Sequence, residues 1–173
     1  MTAVTLVGFM GAGKTTVGRA LATRLGWRFQ DLDDLIQARE GCTIEQIFRD
    51  QGERAFRDLE RLALATATTT ENSGPLVLAL GGGAFVQSDN QELLHRNGIP
   101  TVFLDAPVED LFRRCEQPEA RRPLRRSLRE FAELYQRRRS DYMKAEFHVD
   151  TAGKEISSIV EEIVSALKLG VTA

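Results

Sequence analysis

The sequence predicts an α/β domain in which a parallel β-sheet is covered by helices on both faces. Strand-like and helix-like segments alternate along all 173 residues, with no repeat, linker or low-complexity tract between them. Residues 76–80 are apolar at every position, which is typical of a central strand buried on both faces. One compact domain takes roughly 100 to 200 residues. We therefore expect a single domain over residues 1–173.

Composition excludes several classes of protein. With 42% hydrophobic and 28% charged residues, the chain is not disordered, and its net charge of −2 argues against a nucleic-acid partner. The longest apolar run, residues 76–80, is too short to cross a membrane, and no basic region precedes Lys14 to suggest a signal peptide. Cys42 and Cys115 have no partner at metal-binding spacing. We expect a cytoplasmic monomer with reduced cysteines and no membrane or nucleic-acid partner.

Five short apolar segments are predicted as the strands, and turn residues bound most of them. The first ends at Gly8, and the third follows the turn sequence Asn-Ser-Gly-Pro at residues 72–75 and ends in three glycines. The predicted strands are residues 3–7, 27–31, 76–80, 101–104 and 147–149.

Helices are predicted in the intervals between these strands. Apolar residues spaced three and four apart indicate helices at residues 17–25, 56–63, 91–96 and 156–167. A hydroxyl residue followed three positions later by a glutamine or glutamate forms a capping box at two places, Thr43 with Gln46 and Ser127 with Glu130. The first box opens a short helix that ends near Gly52, and the second a helix to about Tyr142. Pro107 suits the first turn of a helix after the fourth strand.

The segment from Gly8 to Thr15 matches the phosphate-binding pattern G-x-x-x-x-G-K-[ST] in full. It lies between a predicted strand and a predicted helix, which is the context that this motif requires. Its glycines let backbone N–H groups approach phosphate oxygens, and the helix N-terminus adds further donors. Lys14 would supply a positive charge for the β- and γ-phosphates, and Thr15 a hydroxyl for Mg²⁺. The alternative is an ordinary glycine-rich turn with a surface lysine.

Other features narrow the class of phosphate-binding protein. The chain has no N-K-x-D string with which switch GTPases recognise guanine, and no carboxylate follows residues 76–80. Together with the short chain, this favours a small kinase that transfers the γ-phosphoryl group of ATP to a small molecule.

Asp31 and Asp33 follow the second predicted strand, at the sheet edge where parallel α/β proteins bind ligands. If the segment is extended, alternation places both carboxylates on the same side. One would hold the hydration shell of Mg²⁺ and the other would accept a hydrogen bond from the attacking hydroxyl. The alternative is that they cap the helix around Leu35, for which Asp34 is also a candidate, and the residues alone leave both open.

Three other features admit a functional and a structural interpretation. Arg57 and Glu60 have the spacing of a surface ion pair on a helix. Three glycines, residues 81–83, indicate that something approaches the backbone closely, or only a tight turn. Residues 116–126 are rich in arginine and lack periodicity, which suits either a mobile loop that covers ATP or a solvated surface. A nucleic-acid site suits them less well, because the segment has no aromatic residues on which bases could stack. His95 and His148 have no metal-spaced partner and receive no role.

Taken together, the motifs resemble the shikimate kinase family from about residue 4 to residue 163. The specific part is an ordered set of motifs: the phosphate loop Gly8 to Thr15, D-x-D at Asp31 to Asp33, G-E-x-x-F-R at Gly52 to Arg57, G-G-G at Gly81 to Gly83, and R-P-L at Arg122 to Leu124. The resemblance implies transfer of the γ-phosphoryl of ATP to the 3-hydroxyl of shikimate, with Mg²⁺, in chorismate and aromatic amino acid biosynthesis. It also implies a three-layer P-loop fold with a five-stranded parallel sheet in the order 2-3-1-4-5. A substrate-binding helical segment would lie at about 33–62 and a mobile lid at about 115–127.

The resemblance also assigns roles to individual residues on the ATP side. Lys14 would hold the phosphates, and Thr15, with Asp31 through water, would hold Mg²⁺. Arg122 would reach the phosphates from the lid, and Arg114 would stack on adenine. The remaining ATP-binding residues would be Gly11, Ala12, Gly13 and Thr16.

On the acceptor side, Asp33 would bind the reacting hydroxyl and act as base or orienter, and Arg57 would bind the substrate carboxylate. Residues 81–83 would lie against the hydroxyls and ring of the substrate. Where the family has R-x-P-L-Y, this chain has Arg-Arg-Ser-Asp-Tyr at residues 138–142. The apolar stripe of the predicted helix passes through Arg138, so we expect Arg138 to face inward and meet an anion, and Arg137 and Arg139 to lie on faces that water reaches. That anion could be a structural carboxylate, but the resemblance implies that it is the substrate carboxylate. Two other functions remain as alternatives to a shikimate kinase. One is a gluconate or nucleoside-monophosphate kinase, and the other is a nucleotide-binding regulator without turnover.

Overall fold

The computed structural model describes residues 3–69, 74–116 and 127–169, which form an α/β fold. Five strands pair in parallel in the order β2-β3-β1-β4-β5, which confirms the predicted sheet. The strands are β1 Ala3–Val7, β2 Arg28–Asp31, β3 Leu76–Ala79, β4 Thr101–Asp105 and β5 Phe147–Asp150. The helices in the described residues are α1 Lys14–Leu25, α2 Leu32–Glu40, α3 Ile44–Thr68, α4 Ser88–Arg96, α5 Val108–Cys115, α6 Leu128–Tyr142 and α7 Ile156–Ala166.

The central strands are buried along their whole length, as their unbroken apolar sequences predict. Every residue of β1 and β3 is buried, and β1 pairs with β3 on one side and with β4 on the other. From β1 the chain passes through α1 to β2, at one edge of the sheet. From β3 it passes through α4 to β4, in the direction of the other edge. Because such crossovers are right-handed, these two helices cover opposite faces. Accordingly, α1 packs against α7, and α4 against α3.

The helix boundaries follow local signals. Both predicted capping boxes are present, at Thr43 and at Ser127. The helical segment α3 is interrupted at Gly52, whose φ of 83° and ψ of 174° are not helical. This confirms the prediction that a helix ends near Gly52. Several boundaries differ from prediction: α1 and α4 each begin three residues earlier, at Lys14 and Ser88, and α3 continues to Thr68. Pro107 precedes the first helical residue of α5. Half of the predicted turn at residues 72–75 lies outside the described residues.

The parallel register brings the carboxyl ends of the strands to one edge of the sheet. The phosphate loop follows β1, Asp31 ends β2, and the glycines 81–83 come just after β3. Since β2, β3 and β1 are neighbours in that order, these segments lie side by side. Within the described part of the chain, we find no helix with the length and apolar character needed to cross a membrane.

Candidate active site

The phosphate loop is held in a conformation that depends on glycine. Gly8 has a φ of 146°, and a methyl group added there would lie 2.7 Å from the carbonyl oxygen of Leu104 on the neighbouring strand. Gly13, with a φ of 83°, precedes α1, which begins at Lys14 with no side-chain cap. The first N–H groups of α1 are therefore available to an anion placed in the loop.

Two basic side chains lie on this loop. The Lys14 ammonium donates hydrogen bonds to the carbonyl oxygens of Gly8 and Phe9, both at 2.9 Å. Arg114, near the end of α5, donates to the carbonyl oxygen of Gly11 at 3.3 Å. The positive charge predicted for phosphate binding is thus already positioned at the loop.

Asp31 caps α2, which is the structural alternative that the sequence offered, and it also contacts the phosphate loop. Its Oδ1 accepts a hydrogen bond from the backbone N–H of Asp33 at 3.0 Å, which caps α2, and its Oδ2 accepts one from the Thr15 hydroxyl at 2.8 Å. The prediction that Asp31 and Asp33 share one side of an extended segment is wrong. The cap turns the chain into a helix at Leu32, so Asp33 lies in the first turn of α2 and its carboxylate points elsewhere.

Three charged side chains, Asp33, Arg138 and Arg57, each lie against one of the three consecutive glycines. A methyl group added at Gly81 would lie 2.5 Å from Oδ1 of Asp33, and one at Gly83 would lie 2.7 Å from a terminal nitrogen of Arg57. One at Gly82 would lie 3.7 Å from a terminal nitrogen of Arg138. The close approach expected at this segment is therefore present, and side chains of the protein itself make it. The glycines allow an aspartate and two arginines to converge.

This acceptor-side cluster, defined by Asp33, Arg57, Arg138 and the glycines 81–83, adjoins the phosphate loop. The methyl position at Gly82 lies 3.7 Å from the backbone nitrogen of Met10 and 3.8 Å from the carbonyl oxygen of Gly8. The guanidinium carbon of Arg138 lies 5.9 Å from the centroid of the Phe9 ring. A molecule bound at the cluster would thus lie beside a phosphate chain bound in the loop.

Glu60 is a site residue that the sequence interpretation missed. The surface ion pair considered for Arg57 and Glu60 is wrong, because Glu60 is only 1% exposed and Arg57 is largely buried. Arg57 donates to Glu60 at 2.9 Å and to Glu53 at 3.2 Å. Burial raises the pKa of Glu60, and Arg57 and Arg138 oppose that shift. Its position four residues after the buried Phe56 was the signal available in the sequence.

The three consecutive arginines of α6 lie on different faces of the helix, as predicted. Arg138 faces inward and donates to the carbonyl oxygen of Gly82 at 3.3 Å, whereas Arg137 is exposed. Arg139, expected on a face that water reaches, is half-exposed yet pairs with Asp105 at 3.2 Å and donates to the Tyr135 hydroxyl. Another residue without a predicted role, Tyr142, is fully buried and also donates to the Gly82 carbonyl.

The remaining predicted residues are placed as follows. Ala12 is buried in the phosphate loop, and Thr16 is exposed at the start of α1. Arg122, and most of the lid predicted at 115–127, lie outside the described residues.

The fold and this site together define a P-loop kinase, because a phosphate loop follows β1 of a 2-3-1-4-5 sheet and a second polar cluster adjoins it. The shikimate kinase family model matches residues 10–168. The chain is 40% identical to a shikimate kinase of Persephonella marina over 163 residues, covering 94% of this chain and 97% of that protein. It is 42% identical to one of Geobacter metallireducens over 168 residues, covering 95% and 91%.

A solved structure agrees with the sequence comparisons. The shikimate kinase of Acinetobacter baumannii in complex with shikimate superposes with a TM-score of 0.88 at 34% identity, covering 100% of this chain and 96% of that one. The chain belongs to the shikimate kinase family.

Proposed function

We propose that the protein transfers the γ-phosphoryl group of ATP to the 3-hydroxyl of shikimate, forming shikimate 3-phosphate and ADP. The observation that carries this proposal is the convergence of Asp33, Arg57 and Arg138 on three consecutive glycines beside the phosphate loop. Two guanidinium groups suit a carboxylate, and one carboxylate suits a hydroxyl group. Shikimate has both groups on one compact ring.

On the ATP side, the loop residues Gly11, Ala12 and Gly13 would surround the phosphates with backbone N–H groups, and Lys14 would leave the loop carbonyls to contact the β- and γ-phosphates. Thr16, in the first turn of α1, would add a hydroxyl donor. Arg114 would stack on adenine, and Arg122 would approach the phosphates from the lid.

The oxygen atoms of Thr15 and Asp31 fit Mg²⁺, which prefers hard oxygen ligands and keeps several waters. Their hydrogen bond at 2.8 Å places both at the edge of the phosphate loop. Thr15 would bind the ion directly and Asp31 through water. When bound with ATP, Mg²⁺ would supply positive charge that offsets the charge developing on the phosphate oxygens.

On the acceptor side, Arg57 and Arg138 would hold the carboxylate, and Asp33 would accept a hydrogen bond from the 3-hydroxyl. The hydroxyl oxygen attacks the γ-phosphorus, the bond from that phosphorus to the β–γ bridging oxygen breaks, and ADP leaves. As base, Asp33 would take the hydroxyl proton; as orienter, it would only accept the hydrogen bond, and the proton would leave with the phosphorylated product or pass to water. Glu60 holds Arg57 in place from the protein side.

The test is ATP consumption by the purified protein with shikimate, quinate, gluconate and nucleoside monophosphates as acceptors. We expect Mg²⁺-dependent turnover with shikimate and less with the others. Quinate has a saturated ring with an additional hydroxyl beside its carboxylate, gluconate has no ring, and nucleoside monophosphates have no carboxylate. Preferred use of gluconate or a nucleotide would support the alternative kinases, and nucleotide binding without turnover would support a regulator. We expect a cytoplasmic monomer whose partners are ATP and shikimate.

A further inference from the structure

Tyr142 is a buried residue of α6 whose hydroxyl reaches the middle of the acceptor-side cluster. Its side chain is inaccessible to solvent, and its ring stacks on Phe103 of β4 with centroids 5.3 Å apart. The hydroxyl donates to the carbonyl oxygen of Gly82, which is 60 positions away in the chain. Burial raises the pKa of Tyr142, although Arg138 opposes the shift, so the hydroxyl stays protonated and remains a donor at neutral pH.

Arg138 donates to the same carbonyl oxygen at 3.3 Å. Gly82 therefore accepts hydrogen bonds from two residues of one helix, four positions apart. A backbone carbonyl oxygen has two lone pairs, so it can accept both hydrogen bonds at once. The planar guanidinium of Arg138 has further N–H groups that can bind an anion.

We infer that Tyr142 is a positioning residue for the acceptor: it holds the Gly82 carbonyl, and thereby keeps the Arg138 guanidinium directed toward the acceptor carboxylate. The inference rests on the proposed function, since it assumes an acceptor that carries a carboxylate. Gly82 lies between Gly81, which contacts Asp33, and Gly83, which contacts Arg57. Fixing the middle carbonyl thus also fixes the backbone against which the other two side chains lie.

A structural role alone makes a different prediction. If the hydroxyl only satisfied a buried carbonyl, its removal would lower thermal stability and leave acceptor affinity unchanged. If it positions Arg138, its removal leaves the Gly82 carbonyl held by Arg138 alone, so the carbonyl and the guanidinium can both move from their places. Acceptor binding then weakens while ATP binding does not change.

The experiment compares Tyr142→Phe with Tyr135→Phe. Both are buried tyrosines of α6, seven residues apart, but Tyr135 donates its hydrogen bond to Asp105 and lies outside the acceptor-side cluster. Each change removes one hydroxyl and keeps the ring, so the matched control isolates the position of the hydroxyl. We would measure KM for shikimate, KM for ATP, kcat and Tm for each variant.

We expect Tyr142→Phe to raise KM for shikimate about three- to tenfold, the range for one lost hydrogen bond, with KM for ATP unchanged. Tyr135→Phe should leave KM for shikimate unchanged. In an Arg138→Lys background the effect of Tyr142→Phe should shrink to less than twofold, because the two residues act through one another.

Three results would overturn the inference: an unchanged KM for shikimate in Tyr142→Phe, equal rises in both KM values, or an equal effect of Tyr142→Phe in the presence and absence of Arg138. Failure of the proposed function is a separate result, seen as wild-type protein that does not phosphorylate shikimate. The same KM ratios would then be measured with whichever acceptor the panel identifies, and an unchanged acceptor KM would again overturn the role of Tyr142.

Discussion

The hydroxyl of Thr15 donates a hydrogen bond to Oδ2 of Asp31 across 2.8 Å, joining the first turn of α1 to the end of β2. The two residues are 16 positions apart, and the parallel sheet brings their segments to the same edge. Asp33, only two positions from Asp31, lies instead against Gly81. Neighbouring carboxylates thus belong to different halves of the site, and this separation makes their roles testable.

The first prediction distinguishes these two carboxylates. Asp33→Asn should lower kcat and leave ATP affinity little changed, because the acceptor hydroxyl loses its partner. Asp31→Asn should raise the Mg²⁺ concentration needed for half-maximal rate, because its Oδ2 is the oxygen beside Thr15. Steady-state kinetics over a range of Mg²⁺ concentrations would measure both. A change in the Mg²⁺ requirement at Asp33 alone would reverse the assignment.

The second prediction concerns Lys14, whose ammonium lies on the phosphate loop. Lys14→Met should lower kcat by far more than tenfold and leave the circular dichroism spectrum unchanged; a tenfold loss alone corresponds to about 1.4 kcal/mol of transition-state stabilisation. Lys144→Met is the control, because Lys144 is exposed and pairs with Asp141 at 2.7 Å. Turnover of Lys14→Met within tenfold of wild type would show that the proposed ATP site is wrong.

The third prediction concerns the consecutive arginines of α6. Arg138→Lys should strongly raise KM for shikimate and leave KM for ATP nearly unchanged, since lysine cannot reproduce the planar fork of arginine. Arg137→Lys should change neither, because Arg137 is exposed.

Arg139→Lys is the second control for Arg138. This change disturbs the ion pair between Arg139 and Asp105, in which the two side chains are 41% and 24% exposed. Because the pair is partly exposed, the change should cost at most about 1 kcal/mol of stability, and KM for shikimate should not change. Kinetics and thermal unfolding of the three variants would test this. An effect on KM for shikimate at Arg139 and none at Arg138 would contradict the placement of the arginines.

The fourth prediction concerns the buried carboxyl of Glu60, whose pKa is raised by burial. The usual pKa of a glutamate is about 4.3, and above that pH the folded protein binds a proton at Glu60 more tightly than the unfolded chain does. The contribution of this carboxyl to stability is therefore full at lower pH, and it decreases as pH rises through the raised pKa.

Urea unfolding of wild type and Glu60→Gln between pH 4 and pH 7 would measure this dependence. The free energy of unfolding of wild type relative to the variant should fall as pH rises. A rise with pH would mean that Arg57 outweighs burial and holds the pKa below its ordinary value.

Local sequence patterns determined the elements of this protein and the phosphate loop. A capping box joins residues three positions apart, as Thr43 and Gln46 are, and the loop from Gly8 to Thr15 is continuous in the chain. Strand burial also follows from local composition, since β3 has no polar residue. Patterns of this kind can be predicted because the interacting groups are close in sequence.

Only the tertiary structure decided how the acceptor-side cluster is assembled. Arg138 and Tyr142 meet Gly82 across 56 and 60 positions, and no spacing in the sequence encodes contacts of that range. The burial of Glu60 likewise depends on what packs over α3, and not on its spacing from Arg57 alone. The physical reason is that the strand order of the sheet sets which loops become neighbours. Close packing then decides which side chain lies against each of the three glycines at residues 81–83.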